Sequence, residues 1–209
     1  MLGVLVKKAL TVPDSYPLSL NTLTLGCNQK TARDPVLTVA EADVLMAIDA
    51  LKGLNLAFES SGSRVSRYEH NFGRALGLPS QSVALLAVLM LRGPQTVSEL
   101  RINSERLHRF ADLSAVEGFL DELAMRSDDK GGALVVKLTR QAGAREQRWM
   151  HLLCGAVGNA ASNMDSGAAD FVATSEIATL KAQHAALQHE VTELRALVDK
   201  LYAELGVAR

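Results

Sequence analysis

One short pattern constrains this chain more than any other, because it is written twice. Arg67-Tyr68-Glu69-His70 returns as Arg148-Trp149-Met150-His151. Each copy reads Arg-aromatic-x-His, and each closes a stretch that opens on helical periodicity. Self-similarity of this kind marks a supersecondary unit used more than once. The chain is therefore read in halves.

In the first half, Leu2, Leu5, Val6 and Leu10 form a helical stripe. No capping residue precedes it, and a helix without its first turn is unusual, so the true start is expected upstream. Pro13 to Pro17 ends this helix. Leu18 to Cys27 reads as a second, weaker helix, and Asn28 to Pro35 as a polar loop holding Lys30 and Arg33. Thr38-Val39-Ala40-Glu41 has the form of a capping box. It predicts a third helix with Val44, Leu45, Ile48 and Leu51 inward, stopped by Gly53. A strand from Leu54 to Glu59, a turn from Ser60 to Ser63 and a return strand from Val65 to His70 follow. Alternation sets Arg67 and Glu69 on one face of the return strand, where they could pair. Tyr68 and His70 take the other, with Tyr68 in the core.

The second half repeats the order. Val83 to Leu91 is an apolar helix ended by Arg92-Gly93-Pro94. Thr96-Val97-Ser98-Glu99 and Ser114-Ala115-Val116-Glu117 are two further capping boxes, each opening a helix. A strand from Leu134 to Leu138 and a turn from Arg140 to Glu146 lead back through a buried Trp149 to Leu153. His70 and His151 are expected to cap or bond within their hairpins. Helix, helix, helix, strand, turn, strand is the order of a winged helix. The expected fold is mainly α with small β-hairpins, an α+β class. It comprises two tandem winged-helix domains at 1–78 and 79–153, a linker at 154–173 and a coiled coil at 174–206.

The coiled coil rests on a heptad. Leu180, Leu187, Leu194 and Leu201 recur at one position, with Ile177, His184, Val191, Val198 and Leu205 at the other. β-Branched residues at a with Leu at d favour two parallel strands. The chain is thus expected to form a homodimer through Ile177, Leu180, Leu187, Val191, Leu194, Val198, Leu201 and Leu205.

Composition narrows the function classes. A net charge of −1 gives no bulk attraction to nucleic acid or membrane. Aromatics are 4% of residues, so the core must rest on Leu, Val, Ala and Met. Cys27 and Cys154 share no CxxC spacing and read as buried thiols in a reducing compartment. His151-Leu152-Leu153-Cys154 is a single H-x-x-C pair, too few ligands for a metal site. No apolar run is long enough to span a bilayer, and no secretory signal opens the chain, so the cytoplasm is expected. Cys27 with His70, or Ser63 with His70 and Asp34, could be assembled on paper, but no spacing selects them. Phosphate-loop and dinucleotide fingerprints are missing. The expectation is a protein with no enzymatic activity and no cofactor.

Two binding classes remain. In a winged helix the third helix enters the major groove. Here it is acidic, with Glu41, Asp43 and Asp49 in one half and Glu117, Asp121 and Glu122 in the other. Phosphates repel such a surface. Basic groups lie in loops and wings, so nucleic-acid contact is expected from Lys30, Arg33, Arg64, Arg67, Arg140 and Arg145. The competing class is a protein-binding adaptor with no nucleic-acid contact, which the near-neutral charge favours.

Six motifs carry a family resemblance. They are Thr11 to Asn21, Cys27-Asn28-Gln29-Lys30, Arg33-Asp34-Pro35, Gly62 to His70, Leu91 to Thr96 and Ser104-Glu105-Arg106. In that order they resemble the bacterial YceH family over about residues 2–153. The resemblance implies tandem winged-helix domains and no particular activity. The chain departs from the family at its amino terminus, where relatives carry several more residues completing the first helix. A zipper tail occurs in some of them.

Overall fold

A computed structural model describes residues 1–60, 65–140, 143 and 145–155. Arg64, most of the expected linker and all of the heptad lie outside the described residues.

The first helix, α1 (Leu2–Thr11), buries Leu2, Val4, Leu5 and Val6. The Met1 carbonyl accepts from Val4 and Leu5 N–H at 2.8 and 3.2 Å. After a 3-10 turn at Pro13–Ser15 the chain makes a two-residue strand, β1 (Leu18–Ser19), where helix was expected. The reason is pairing and capping. Leu18 and Ser19 face Tyr68 and Arg67, and Ser19 stays extended so that its Oγ accepts from Thr22 N–H. Then comes α2 (Leu20–Cys27).

Helix α3 (Glu41–Gly53) starts later than the Thr38 capping box predicts. Asn28 clamps Val39 from both sides. Its Oδ1 accepts from Val39 N–H at 2.8 Å, and its Nδ2 donates to the Val39 carbonyl at 2.9 Å. That holds Val39 out of the helix and moves the cap to Ala40, whose N–H donates to Asp43 Oδ2 at 3.0 Å. At the other end Asn55 turns left-handed (φ 57°), and Leu56 N–H donates back to Leu51 O at 2.8 Å. This helix stop consumes Leu54 to Leu56, so β2 is Ala57–Ser60 rather than Leu54 to Glu59. With β3 (Arg67–His70) it makes an antiparallel sheet in the order β1-β3-β2.

A short helix, α4 (Phe72–Leu76), was not foreseen; it is anchored by fully buried Phe72 and stopped by left-handed Gly77. Helix α5 (Ser80–Arg92) is buried continuously from Ser82 to Leu89, the signature of a central helix. Helix α6 (Val97–Ser104) carries the box expected at Thr96. Thr96 Oγ1 accepts from Glu99 N–H at 3.2 Å, and Glu99 Oε2 accepts from Thr96 N–H at 2.9 Å. Helix α7 (Leu113–Ala124) is capped by Asp112 and not by Ser114. Asp112 Oδ1 accepts from Ala115 N–H at 2.8 Å, and the Ser114 hydroxyl donates to the same oxygen at 2.7 Å. A carboxylate is the stronger acceptor, and the serine is reduced to supporting it. Strands β4 (Val135–Lys137) and β5 (Trp149–His151) pair antiparallel.

Two apolar clusters fill the interior, and both draw on both halves of the sequence. One joins Leu2 and Val6 of α1 to α5, α6, α7 and Trp149. The other joins Val4 and Leu5 to α2, α3, Tyr68 and Leu91. Glycine is what lets α1 lie on α5. A Cβ on Gly3 would stand 3.1 Å from Leu91 Cγ and 3.2 Å from the Ala87 carbonyl oxygen.

Candidate functional site

The repeated tetrad builds the same device in each half. Arg67 Nη1 donates to the Pro17 carbonyl at 2.9 Å, and Arg148 Nη1 donates to the Pro94 carbonyl at 3.0 Å. Each proline stands just ahead of the cap of its half's second helix. The aromatic residue follows into the core, with Tyr68 5% and Trp149 2% exposed. Tyr68 pairs with Leu18 of β1, and Trp149 makes the equivalent bridge to Gln95, with hydrogen bonds of 3.0 and 2.7 Å. The repeat is thus a latch tying the hairpin to the start of the second helix.

The histidines do not bond within their hairpins through Nδ1, because Nδ1 of both His70 and His151 is buried without a partner among the described residues. Burial holds both imidazoles below their usual pKa; for His70 the charge of Glu69 pulls weakly the other way. Tyr16 belongs to the same corner. Its hydroxyl accepts from His70 N–H, and burial pushes its pKa up to about 12.

The six expected nucleic-acid contacts part company here. Arg67 is held by Pro17 and forms no ion pair with Glu69 among the described residues. Arg33 is half-buried; its Nη2 donates to the Gly26 carbonyl at 2.8 Å and its Nη1 to the Ala32 carbonyl at 2.9 Å. Lys30, Arg140 and Arg145 are exposed. Arg64 lies outside the described residues, as do the dimerisation positions from Ile177 to Leu205. Of the two thiols, Cys27 is buried as expected, and burial raises its pKa. Cys154 is exposed instead, because it follows the last residue of β5. Among the described residues no group of His, Cys, Asp and Glu is placed to hold a metal ion, and no helix is long and apolar enough to cross a membrane.

An exposed apolar stripe lies on α3. Val44 and Ile48 point inward, but Leu45, expected with them, is 41% exposed and Met46 is 66% exposed. Helical spacing lines up Ala42, Met46 and Ala50, all exposed, in one stripe. Asp43 and Asp49, each three residues from Met46 and exposed, border it. The one cation of the helix is engaged, since Lys52 Nζ lies 2.6 Å from Glu59 Oε2 and 3.7 Å from Asp49 Oδ1. The other half supplies an internal control. Matching the inward positions Val44, Ile48 and Leu51 of α3 to Val116, Leu120 and Leu123 of α7 sets Ala42, Met46 and Ala50 against Ser114, Gly118 and Glu122. The equivalent face of α7 is polar, so the repeated unit does not itself require an apolar stripe there. A sequence reading could have found Met46 by that comparison of halves.

The described residues define a small α+β protein of α-helices and short antiparallel sheets. The family described as "Protein of unknown function, DUF480" matches residues 1–144. A UPF0502 protein of Leptothrix cholodnii is 60% identical over 214 residues, covering 99% of this chain and 93% of that protein. UPF0502 proteins of Burkholderia multivorans and Burkholderia cenocepacia are 60% and 59% identical, each covering 99% of this chain and 87% of the relative. The chain belongs to this DUF480/UPF0502 family of bacterial proteins.

Proposed function

We propose that this chain is a non-enzymatic adaptor that binds a protein segment through the exposed face of α3. The observation that carries the reading is the stripe Ala42-Met46-Ala50, apolar, bordered by carboxylates and absent from the equivalent helix. An exposed methionine is suited to adaptable apolar contact. The carboxylate border favours a partner segment in which an apolar anchor is flanked by Lys or Arg, and disfavours a phosphate backbone. The same reading takes each half as a winged helix, in keeping with the YceH resemblance, and the heptad as a parallel dimeric coil. A dimer would present two α3 faces and gain from avidity.

The test is selection of random displayed peptides on the full-length protein. Selected sequences should carry a Leu, Ile or Phe anchor among basic residues. Their binding should weaken with salt and be lost in Met46→Glu. An acidic consensus, or binding indifferent to Met46→Glu, refutes the reading. One observation favours a second reading, nucleic-acid contact through loops and wings. Lys30, Arg140 and Arg145 are exposed and enter no ion pair among the described residues. That reading requires a duplex mobility shift at about 50 mM salt whose salt slope falls by about one unit per cation removed.

A further inference from the structure

A second surface is marked by charge. Lys7 lies one helical turn after Gly3, on the same face of α1. Gly3 is pressed against Leu91, and Arg92, the last residue of α5, is near enough for its charge to act on Lys7. Lys8 reaches across α2; its Cε lies 3.8 Å from where a Cβ on Gly26 would be. The 28–35 loop is stapled to the same corner. Asp34 N–H donates to the Leu91 carbonyl at 2.9 Å, and Arg33 Nη2 donates to Gly26. Arg106, exposed in the segment between α6 and α7, acts on the same corner through its charge, which reaches Lys7.

Three of the described cations elsewhere find carboxylates: Lys52 with Glu59, Lys137 with Glu117 and Arg148 with Glu99. None of Lys7, Lys8, Arg33, Arg92 and Arg106 does so among the described residues. Lys7 feels the consequence. Its pKa is held down first by burial and then by the positive charges of Arg33, Arg92, Arg106 and Lys8, with no anion among the causes. Gathering like charges without a counter-charge costs stability, and a bound anion would turn that cost into attraction.

We propose that Lys7, Lys8, Arg92 and Arg106, backed by Arg33, form a binding site for adjacent phosphate groups. Arg33 contributes its field rather than new hydrogen bonds, because its Nη donors are occupied. The other four supply the contacts. Such phosphates are carried by a free triphosphate or by a nucleic-acid backbone. The site uses none of the residues of the α3 face, so the two proposals fail separately.

The experiment uses the full chain with inorganic tripolyphosphate as probe and a short random duplex as competitor. Tripolyphosphate at about a hundredfold excess over its Kd should raise Tm by about 5–10 °C. Lys7→Gln with Arg92→Gln should abolish the rise while leaving the ligand-free Tm at or above wild type, since the repulsion is relieved. A merely structural pair of cations would give the opposite, a lower ligand-free Tm. Arg106→Gln, at an exposed position, should weaken binding severalfold. Displacement of the probe by duplex assigns the site to a nucleic-acid backbone, and failure to displace assigns it to a free polyphosphate. No rise in wild type, or an undiminished rise in Arg106→Gln, overturns the proposal.

Discussion

Gly26→Ala should destabilise the protein although alanine is the better helix former. Replacing a helical glycine by alanine gains about 1 kcal/mol from propensity alone. At Gly26, however, the new Cβ would stand 2.7 Å from Val4 Cγ1, closer than real Cβ contacts come. Val4 is 2% exposed and packed with Leu5, Leu18 and Leu23, all fully buried. It has no room to withdraw into, since interiors are already close-packed. Moving α2 instead would disturb the bond from Arg33 to the Gly26 carbonyl. Overpacking of this kind costs about 1–3 kcal/mol. The clash therefore wins, with a net loss of about 1 kcal/mol and a fall in Tm of roughly 2–4 °C. Gly118→Ala is the matched control, because it sits on the exposed side of α7 with nothing within 4 Å of the added Cβ. It should gain up to about 1 kcal/mol. Urea melts of the three proteins, with unchanged m-values, read both effects. A Gly26→Ala protein as stable as Gly118→Ala would refute the account of how α1 and α2 cross.

Three further outcomes follow from particular contacts. Thr96→Ala should cost about 1 kcal/mol by losing the α6 cap, whereas Thr38→Ala should stay within about 0.5 kcal/mol of wild type; equal urea midpoints for the two variants would contradict the capping scheme. His70 and His151 have depressed folded pKa values, so the unfolded chain binds more protons just below its own pKa of 6.5. Their contribution to stability is complete above that pH and is lost as pH falls below it, until the folded imidazoles also protonate. Urea midpoints should drop between about pH 7.5 and about pH 5.5, less steeply in a His70→Gln, His151→Gln protein; parallel profiles would remove the histidines from the explanation. On the proposed coiled-coil reading, Leu187→Pro should turn a light-scattering dimer into a monomer, since proline is incompatible with a helix interior; an unaltered dimer would refute that reading.

What could be read from the sequence followed the range of the interactions involved. The Thr96 box lies within one turn of helix, and the sequence places it correctly. The Thr38 box has the same local form but fails, because Asn28 in the preceding loop clamps Val39. No local pattern announces that clamp. Tyr68 and Trp149 are core residues as alternation suggests, yet the partners of the arginines beside them, the carbonyls of Pro17 and Pro94, are distant in sequence. Repetition of the tetrad was the available clue that these arginines serve the fold. Helix α4 is not legible in the sequence because its five residues are too few to display a period. The acidity of α3 was plain from its composition. Its apolar centre was not, since assigning Leu45 inward rotates the helix and hides the stripe running through Met46.

The central claim is that the exposed face of α3 meets a protein partner, and photo-crosslinking tests it most directly. A benzophenone amino acid at position 46 of the full-length protein, irradiated in cells, should yield an adduct with another polypeptide. The linked segment should hold an apolar residue among lysines or arginines. The same probe at position 118, the matching site on α7, should yield none. No adduct at 46, equal adducts at both positions, or adducts to nucleic acid alone would contradict the account.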